Sequence, residues 1–143
     1  MFFRLAWIRK ECFGATRVVI LSPDQKFLAC GSDDGYVFVY NSETGLPVCN
    51  RKPLSKHNAE VHNVVVSPDS KLIASSCQNS ILKLWECSTG LEQFSVCLDA
   101  EVKGMSFLPD SRKLLLYTGT NRTRVFLFSV ASGKKDFVTE SRT

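Results

Sequence analysis

The stretch VVVSPDSKLIASSCQNSILKLWECSTG (64–90) decides the fold, because a variant of it stands in register on either side. VVILSPDQKFLACGSDDGYVFVYNSETG (18–45) precedes it, and MSFLPDSRKLLLYTGTNRTRVFLFSVASG (105–133) follows it. The Pro-Asp pairs of the three copies begin at Pro23, Pro68 and Pro109, so they lie 45 and 41 residues apart. One supersecondary unit is therefore used three times.

A period of roughly 40–45 residues is typical of four-stranded propeller blades. Each copy reads as strand, proline turn, strand, hairpin, strand, turn and a more polar fourth strand. Asp34-Gly35, between the apolar runs FLAC and YVFVY, predicts a hairpin whose two central residues both tolerate positive φ. The fourth strands are predicted at PVCNRKP (47–53), EQFSVCL (92–98) and KKDFVTE (134–140). We predict an all-β chain of about three four-stranded antiparallel β-propeller blades in an open or incomplete ring.

Composition narrows the function classes. A chain of 143 residues with 44% hydrophobic and 22% charged residues is typical of a globular domain rather than a disordered or membrane protein. The apolar start MFFRLAWIRK is short and interrupted by Arg4, so we expect an intracellular chain, cytoplasmic or nuclear, without a membrane role. Six cysteines without a C-x-x-C pair indicate small buried side chains rather than zinc ligands or disulfides: Cys12, Cys30, Cys49, Cys77, Cys87 and Cys97.

The second copy resembles the WD-repeat family. KHNAEVHNVVVSPDSKLIASSCQNSILKLWE (56–86) follows the family pattern position for position. His57, Ser76, Asn79 and Trp85 stand at the signature places, where the resemblance implies a hydrogen-bonded network that fixes the loops of a blade against its strands. Asn79 replaces the usual aspartate, which weakens that network.

The first and third copies match the WD-repeat pattern at fewer positions than the middle copy does. In the first copy Ser32 and Asp34 match the pattern and Tyr40 stands at the tryptophan position. In the third copy Phe128 takes the tryptophan position, and the hairpin from Thr118 to Arg124 carries a two-residue insertion. We predict an outer strand or relic of a preceding blade at 1–16, blade 1 at 17–55, blade 2 at 56–98 and a divergent blade 3 at 99–143.

Catalytic and metal-binding patterns are weak. His57 and His62 lack a nearby cysteine or carboxylate at zinc-ligand spacing, and nothing in the sequence provides a base for Cys77. No phosphate-binding glycine motif occurs. We therefore expect no enzyme activity, no cofactor and no metal.

Function is expected in the loops that a rigid blade displays. The resemblance implies a scaffold that binds a peptide or protein partner, within a larger propeller or a multi-protein complex. The candidate partner-binding residues share one predicted end of the blades: Asp33, Lys56, His62, Gln78, Lys103, Arg122 and Arg124.

The alternative function is association with RNA or another nucleic acid. Residues 112–143 hold seven basic and two acidic side chains. This basic third copy could attract a phosphate backbone. The residues concerned are Arg112, Lys113, Arg122, Arg124, Lys134 and Lys135.

Three blades are too few for a ring, since propellers typically have four to eight. The outward faces of the terminal blades therefore need a partner. The missing blades could belong to a longer protein of which this chain is a fragment, to a second copy of the chain, or to another propeller.

Overall fold

The chain folds into three antiparallel sheets of four strands, which confirms the all-β fold and the propeller blades predicted from the sequence. The computed structural model describes residues 16–48, 55–57, 59–119 and 122–142. Blade 1 contains β1 (Thr16–Leu21), β2 (Phe27–Ser32), β3 (Tyr36–Asn41) and β4 (Ser55–Lys56). Blade 2 contains β5 (Val61–Val66), β6 (Leu72–Cys77), β7 (Ile81–Glu86) and β8 (Glu92–Cys97). Blade 3 contains β9 (Val102–Phe107), β10 (Lys113–Thr118), β11 (Arg122–Ser129) and β12 (Lys135–Arg142).

Strands follow chain order within each blade, and β5 lies against β1, β2 and β9, so the first strand of each blade is the inner one. The predicted fourth strands at 92–98 and 134–140 correspond to β8 and β12. In blade 1 only the first two residues of the predicted strand 47–53 are described, and both pair with β3. Pro47 forms an isolated bridge with Tyr40, and the paired strand β4 comes later, at Ser55–Lys56. Residues 49–54 and the predicted outer strand at 1–16, except Thr16, lie outside the described residues.

Two apolar layers join the blades. Side chains alternate between the faces of a strand, and Ile73 pairs directly with Trp85, so both project from the same face of blade 2. That face packs on Val37 and Val39 of blade 1. The opposite face of blade 2 presents Ala74, Leu82 and Leu84 to blade 3. Each seam is thus a continuous hydrophobic core between two sheets.

The two terminal faces differ. On blade 1, Leu28, Cys30, Phe38 and Tyr40 form a third apolar cluster and are all at most 5% exposed. On the outward face of blade 3, Tyr117 is 46% exposed, and its ring lies over Gly104 of the neighbouring strand. Val19 of blade 1 is 42% exposed and pairs with Cys30, so exposed apolar side chains lie on the outward faces of both terminal blades.

The proline turns link successive blades. In each turn an aspartate follows the proline, and the residue after that aspartate has positive φ. These residues are Gln25, Ser70 and Ser111. The Asp24 amide donates to Ser70 Oγ at 3.1 Å, and the Asp69 amide donates to Ser111 Oγ at 3.1 Å. Each seam is closed at this end by a hydroxyl from the following blade. We call these two contacts the serine ladder.

The β2–β3 hairpin differs from its prediction in one detail. The Gly35 amide donates to Ser32 O at 3.1 Å, and Gly35 has φ of 87°, whereas Asp34 is not among the described residues with positive φ. The loop is therefore closed by one residue in the left-handed region, Gly35, whereas a type I′ turn would place both Asp34 and Gly35 there. His57 donates its amide to Gly35 O at 2.7 Å, so this hairpin contacts the start of blade 2.

The cysteine prediction holds for three of the four described thiols. Cys30, Cys77 and Cys87 are buried, whereas Cys97 is exposed because it ends the outer strand β8. Cys12 and Cys49 lie outside the described residues. Within the described ranges, no helix has the length and apolar content needed to cross a membrane.

Candidate interaction surface

The blades have two distinct ends. The hairpin end comprises the loops β2–β3, β6–β7 and β10–β11 and the first residues of the inner strands β1, β5 and β9. The turn end comprises the proline turns and the loops that lead to the fourth strands. Each inner strand pairs along its length with the second strand of its blade, and each hairpin joins two paired strands, so side chains at the hairpin end are mounted on ordered elements.

Six charged or ionisable side chains cross the hairpin end of all three blades. Arg17 Nη1 lies 2.9 Å from Asp33 Oδ1 and 3.4 Å from Glu60 Oε2. The series continues through His62 to Glu101, whose Oε2 lies 3.3 Å from Lys103 Nζ. We call this series the charged row: Asp33, Arg17, Glu60, His62, Glu101 and Lys103.

His62 is the centre of the charged row. Its Nδ1 lies 2.5 Å from Glu101 Oε1, and its Nε2 lies 3.3 Å from Glu60 Oε2. Partial burial opposes ionisation of Glu101, but hydrogen bonds from His62 and Lys103 outweigh it and hold the pKa of Glu101 below its ordinary value. Glu101 is therefore an anion at neutral pH. The row presents partly exposed carboxylates and cations side by side.

The network beneath this surface runs through Ser75 rather than the Ser76 that the sequence indicated. Ser75 Oγ accepts a hydrogen bond from Trp85 Nε1 at 2.9 Å and lies 2.7 Å from His57 Nε2. Ser76 faces the other way, and its Oγ accepts from Asn63 Nδ2 at 3.1 Å. The reason is strand alternation. The pairing of Ile73 with Trp85 places odd-numbered residues of β6 on the face of the tryptophan.

His57 is fully buried and neutral. Burial, followed by the positive charge of Lys83, lowers the pKa of His57 to about 4. The simplest assignment has the Ser75 hydroxyl donating to Nε2, which leaves the ring proton on Nδ1. Among the described residues, His57 Nδ1 has no hydrogen-bond partner. The imidazole therefore acts as a packed structural group.

The remaining sequence-predicted network residues lie in blade 1 and at the blade 2 hairpin. Ser32 Oγ accepts the Tyr36 amide at 3.2 Å, and Asp34 is exposed at the hairpin tip. Tyr40 is fully buried and stacks on Phe38 at a centroid distance of 6.0 Å. Asn79 is exposed in the β6–β7 loop.

The candidate partner-binding residues all fall at the hairpin end. Asp33, His62 and Lys103 belong to the charged row. Gln78 is exposed beside it, and its backbone N–H donates to Glu60 O at 2.9 Å. The backbone of Lys56 pairs with Tyr36. Arg122 and Arg124 begin β11, further from the inner strands. Sequence reasoning did not single out Arg17, Glu60 or Glu101, whose partners are supplied by other blades or loops.

The basic residues of blade 3 do not form one patch. Arg112 and Lys113 lie at the turn end, where β10 begins, and Lys134 lies in the loop before β12. Arg122 and Arg124 lie at the hairpin end, at the start of β11. A six-residue strand separates the two groups by roughly 17–20 Å. Five of the six basic residues named for the nucleic-acid alternative are thus divided between the two ends of blade 3, and the Lys135 side chain lies near Phe126.

Comparison with known families identifies the repeat. Residues 13–41 and 48–86 match the family described as WD domain, G-beta repeat. These two matches cover the first and second copies of the sequence unit.

Curated relatives are all much longer than the matching region. COMPASS component SWD1 of Saccharomyces cerevisiae is 27% identical over 113 residues, which is 78% of this chain and 25% of that protein. WD repeat-containing protein 1 of Mus musculus is 32% identical over 68 residues, 48% of this chain and 11% of that protein. The chain therefore spans a quarter or less of these two relatives.

Solved structures share the fold. The β-propeller domain of Cps50 (Swd1) from Myceliophteria thermophila superposes with a TM-score of 0.75 at 20% identity, over 89% of this chain and 39% of that one. The WD40 repeats of RRP9 superpose with a TM-score of 0.76 at 17% identity, over 92% and 40%.

Proposed function

This chain belongs to the WD-repeat β-propellers, and from that premise we propose that it is a non-catalytic scaffold that binds a peptide or protein partner at its hairpin end. The observation behind the proposal is the charged row. It crosses all three blades, so one bound segment could contact every repeat. Since the row sits on paired strands, little conformational entropy is lost from it on binding.

The mixture of carboxylates and cations in the charged row favours a polypeptide ligand. A peptide backbone and mixed side chains can pair with both the carboxylates and the cations of the row, whereas a polyanion would meet Asp33, Glu60 and Glu101. The charged row would set orientation and association rate more than affinity, because partly exposed ion pairs contribute little free energy each.

We also propose that the scaffold works inside a larger propeller or assembly. Three blades leave the apolar outward face of blade 3 without a neighbour among the described residues. The structural relatives are more than twice as long as the part that this chain covers. SWD1 is by name a component of COMPASS, which supports a role in a multi-protein complex. Further blades from the same longer polypeptide are the first candidate; a second copy is the other.

A peptide-display selection tests the binding function. The purified chain is panned against a random peptide library, and the enriched peptides are measured against a row variant, Asp33→Asn, Glu60→Gln and Lys103→Gln. We expect the row variant to lose about tenfold or more in affinity. The matched control also removes two acidic side chains and one basic side chain, but at the turn end: Glu43→Gln, Glu86→Gln and Lys71→Gln.

The proposal fails if no peptide is enriched, or if both triple variants bind the enriched peptides as the unchanged chain does. Light scattering on the same sample tests the assembly. A discrete dimer would identify a second copy as the source of the missing blades, and a monomer would assign them to other polypeptide.

A further inference from the structure

Each inner strand contains a β-bulge at its second residue. The pairing of β1 with β2 skips Arg17, that of β5 with β6 skips His62, and that of β9 with β10 skips Lys103. A bulge takes the extra residue out of the ladder and re-aims its side chain. The same backbone feature therefore places the three basic members of the charged row, one in each blade.

These bulge residues connect each blade with the following one. Arg17 Nη1 lies 3.4 Å from Oε2 of Glu60, which stands two residues before the bulge of blade 2. His62 Nδ1 lies 2.5 Å from Oε1 of Glu101, which stands two residues before the bulge of blade 3. Lys103 contacts Glu101 of its own blade, and within the described ranges no following blade offers it a second carboxylate. The pattern predicts such a carboxylate two residues before the bulge of a further blade.

The turn end has the same order of contacts. In the serine ladder the Asp24 amide donates to a hydroxyl of blade 2, and the Asp69 amide donates to a hydroxyl of blade 3. The Asp110 amide holds the corresponding place in blade 3 and has no hydrogen-bond partner among the described residues. A hydroxyl directly after the turn aspartate of a further blade would continue the ladder.

Between its two ends, the outward face of blade 3 is built like the faces that already form seams. The corresponding cross-strand pairs of the three blades are Ala29–Val39, Ala74–Leu84 and Leu115–Leu127. The pairs of blades 1 and 2 are at most 4% exposed, because the following blade covers them. Leu115 and Leu127 are only half-buried, and Tyr117 on the same face is 46% exposed. This face is thus an apolar seam surface without its following blade.

We propose that blade 3 docks a further blade of this repeat, and that it selects one with a carboxylate two residues before the inner-strand bulge and a hydroxyl directly after the turn aspartate. The carboxylate pairs with Lys103, the hydroxyl accepts from the Asp110 amide, and the apolar face of the docked blade covers Leu115 and Leu127. The proposal deepens the larger propeller of the proposed function, on which it rests, by stating which blade fits.

Blade 1 of a second copy does not meet these requirements. At the two selecting positions blade 1 has Ala15 and Gln25, whereas blades 2 and 3 each have a glutamate and a serine. Ala15 has no charge to pair with an ammonium, and the Gln25 side-chain oxygen is two carbons further from the backbone than a serine hydroxyl. The docked blade is therefore a fourth blade with the residues of blades 2 and 3, not blade 1 of another copy.

The whole chain, extended by a copy of one of its own blades, tests the proposal. One extension repeats residues 57–98, from blade 2, directly after Thr143, and the matched extension repeats residues 12–56, from blade 1. Hydrogen exchange of the Asp110 amide is measured by NMR. We expect the blade 2 extension to slow this exchange at least about tenfold relative to the unextended chain, and the blade 1 extension to slow it less than about twofold.

Substitutions in the appended copies assign the effect to the two selecting contacts. Glu60→Gln with Ser70→Ala, made only in the blade 2 copy, should speed exchange of the Asp110 amide about fivefold or more. Ala15→Glu with Gln25→Ser, made only in the blade 1 copy, should slow it about fivefold. A misfolded extension cannot imitate this gain of protection.

Equal or greater protection by the blade 1 extension, no protection by either extension, or no response to either double substitution would each overturn the proposal. So would a discrete dimer of the unextended chain with a protected Asp110 amide, because blade 1 would then be the docked blade. None of these results bears on peptide binding at the charged row, which is measured on the unextended chain.

Discussion

A single hydroxyl serves two buried aromatic side chains in blade 2. Ser75 Oγ satisfies both Trp85 Nε1 and His57 Nε2, so its removal leaves two buried polar groups without partners. We expect Ser75→Ala to lower the free energy of unfolding by about 2–3 kcal/mol. Ser76→Ala is the matched control at an equally buried position. It should cost about 1 kcal/mol, because Asn63 Nδ2 also contacts Val102 O. Urea denaturation of the three chains makes the comparison, and equal losses would contradict the assignment.

Stability should depend on pH through His57. Burial keeps the folded-state pKa near 4, whereas the unfolded imidazole titrates near 6.5. Between these values the unfolded chain binds more protons, so stability is full above pH 6.5 and falls as pH drops towards 4, by about 3 kcal/mol. We expect His57→Gln, although less stable at pH 7.5, to lose about 2.5 kcal/mol less of its free energy of unfolding than the unchanged chain between pH 7.5 and 4.5. Parallel slopes in urea melts of the two chains would refute the role of His57.

The sequence could indicate which residues take part in the buried network of blade 2, but not which of two neighbouring strand residues faces it. The family resemblance indicated His57 and Trp85, and both contact Ser75, but two adjacent serines are compatible with the same pattern. Only the pairing of Ile73 with Trp85 shows that Ser75, and not Ser76, shares their face.

At the scale of the element, the β2–β3 hairpin depends on Gly35. Its φ of 87° is unfavourable for side chains, and an added Cβ would collide with the carbonyl oxygen of His57. We expect Gly35→Ala to cost about 2 kcal/mol or more. Ser80 holds the equivalent place in the β6–β7 hairpin with φ of 66°. Ser80→Gly should therefore change stability by less than about 1 kcal/mol, since relief of strain offsets greater flexibility of the unfolded chain. Thermal melts test both, and a tolerated Gly35→Ala would contradict the steric argument.

The positions of strands could be predicted where proline turns or hairpin residues mark their ends. Proline turns and hairpins bound the predicted strands because each turn residue has a specific backbone preference, and the fourth strands predicted at 92–98 and 134–140 correspond to β8 and β12. In blade 1 the predicted fourth strand 47–53 is tested only at Pro47 and Val48, which pair with β3.

At the scale of the whole molecule, the serine ladder should stabilise the seams separately. Ser70→Ala removes the acceptor of the Asp24 amide, and Ser111→Ala removes that of the Asp69 amide. We expect each substitution to speed hydrogen exchange of its own amide about fivefold and to leave the other unchanged. Exchange measured by NMR on both variants makes the test. Simultaneous acceleration at both amides would show that the seams open together.

The arrangement of blades could be predicted from the period, but the sites between them could not. Arg17 and Glu60, or His62 and Glu101, are about forty residues apart and meet only because consecutive inner strands lie side by side. A repeat pattern states that neighbours pack; it does not state which side chains then face each other.

The serine ladder also bears on how such an array can lengthen during evolution. Blades 2 and 3 each bring the serine that the preceding blade uses, whereas blade 1 has Gln25 at that position. A tandem duplication of blade 2 or blade 3 would therefore insert a unit that already matches the seam on its N-terminal side. A duplicated blade 1 would bring an amide side chain instead of a hydroxyl. Because of the serine ladder, new repeats that arise by duplication of the C-terminal blades already fit the preceding blade, so the array can lengthen most easily towards the 3′ end of the gene.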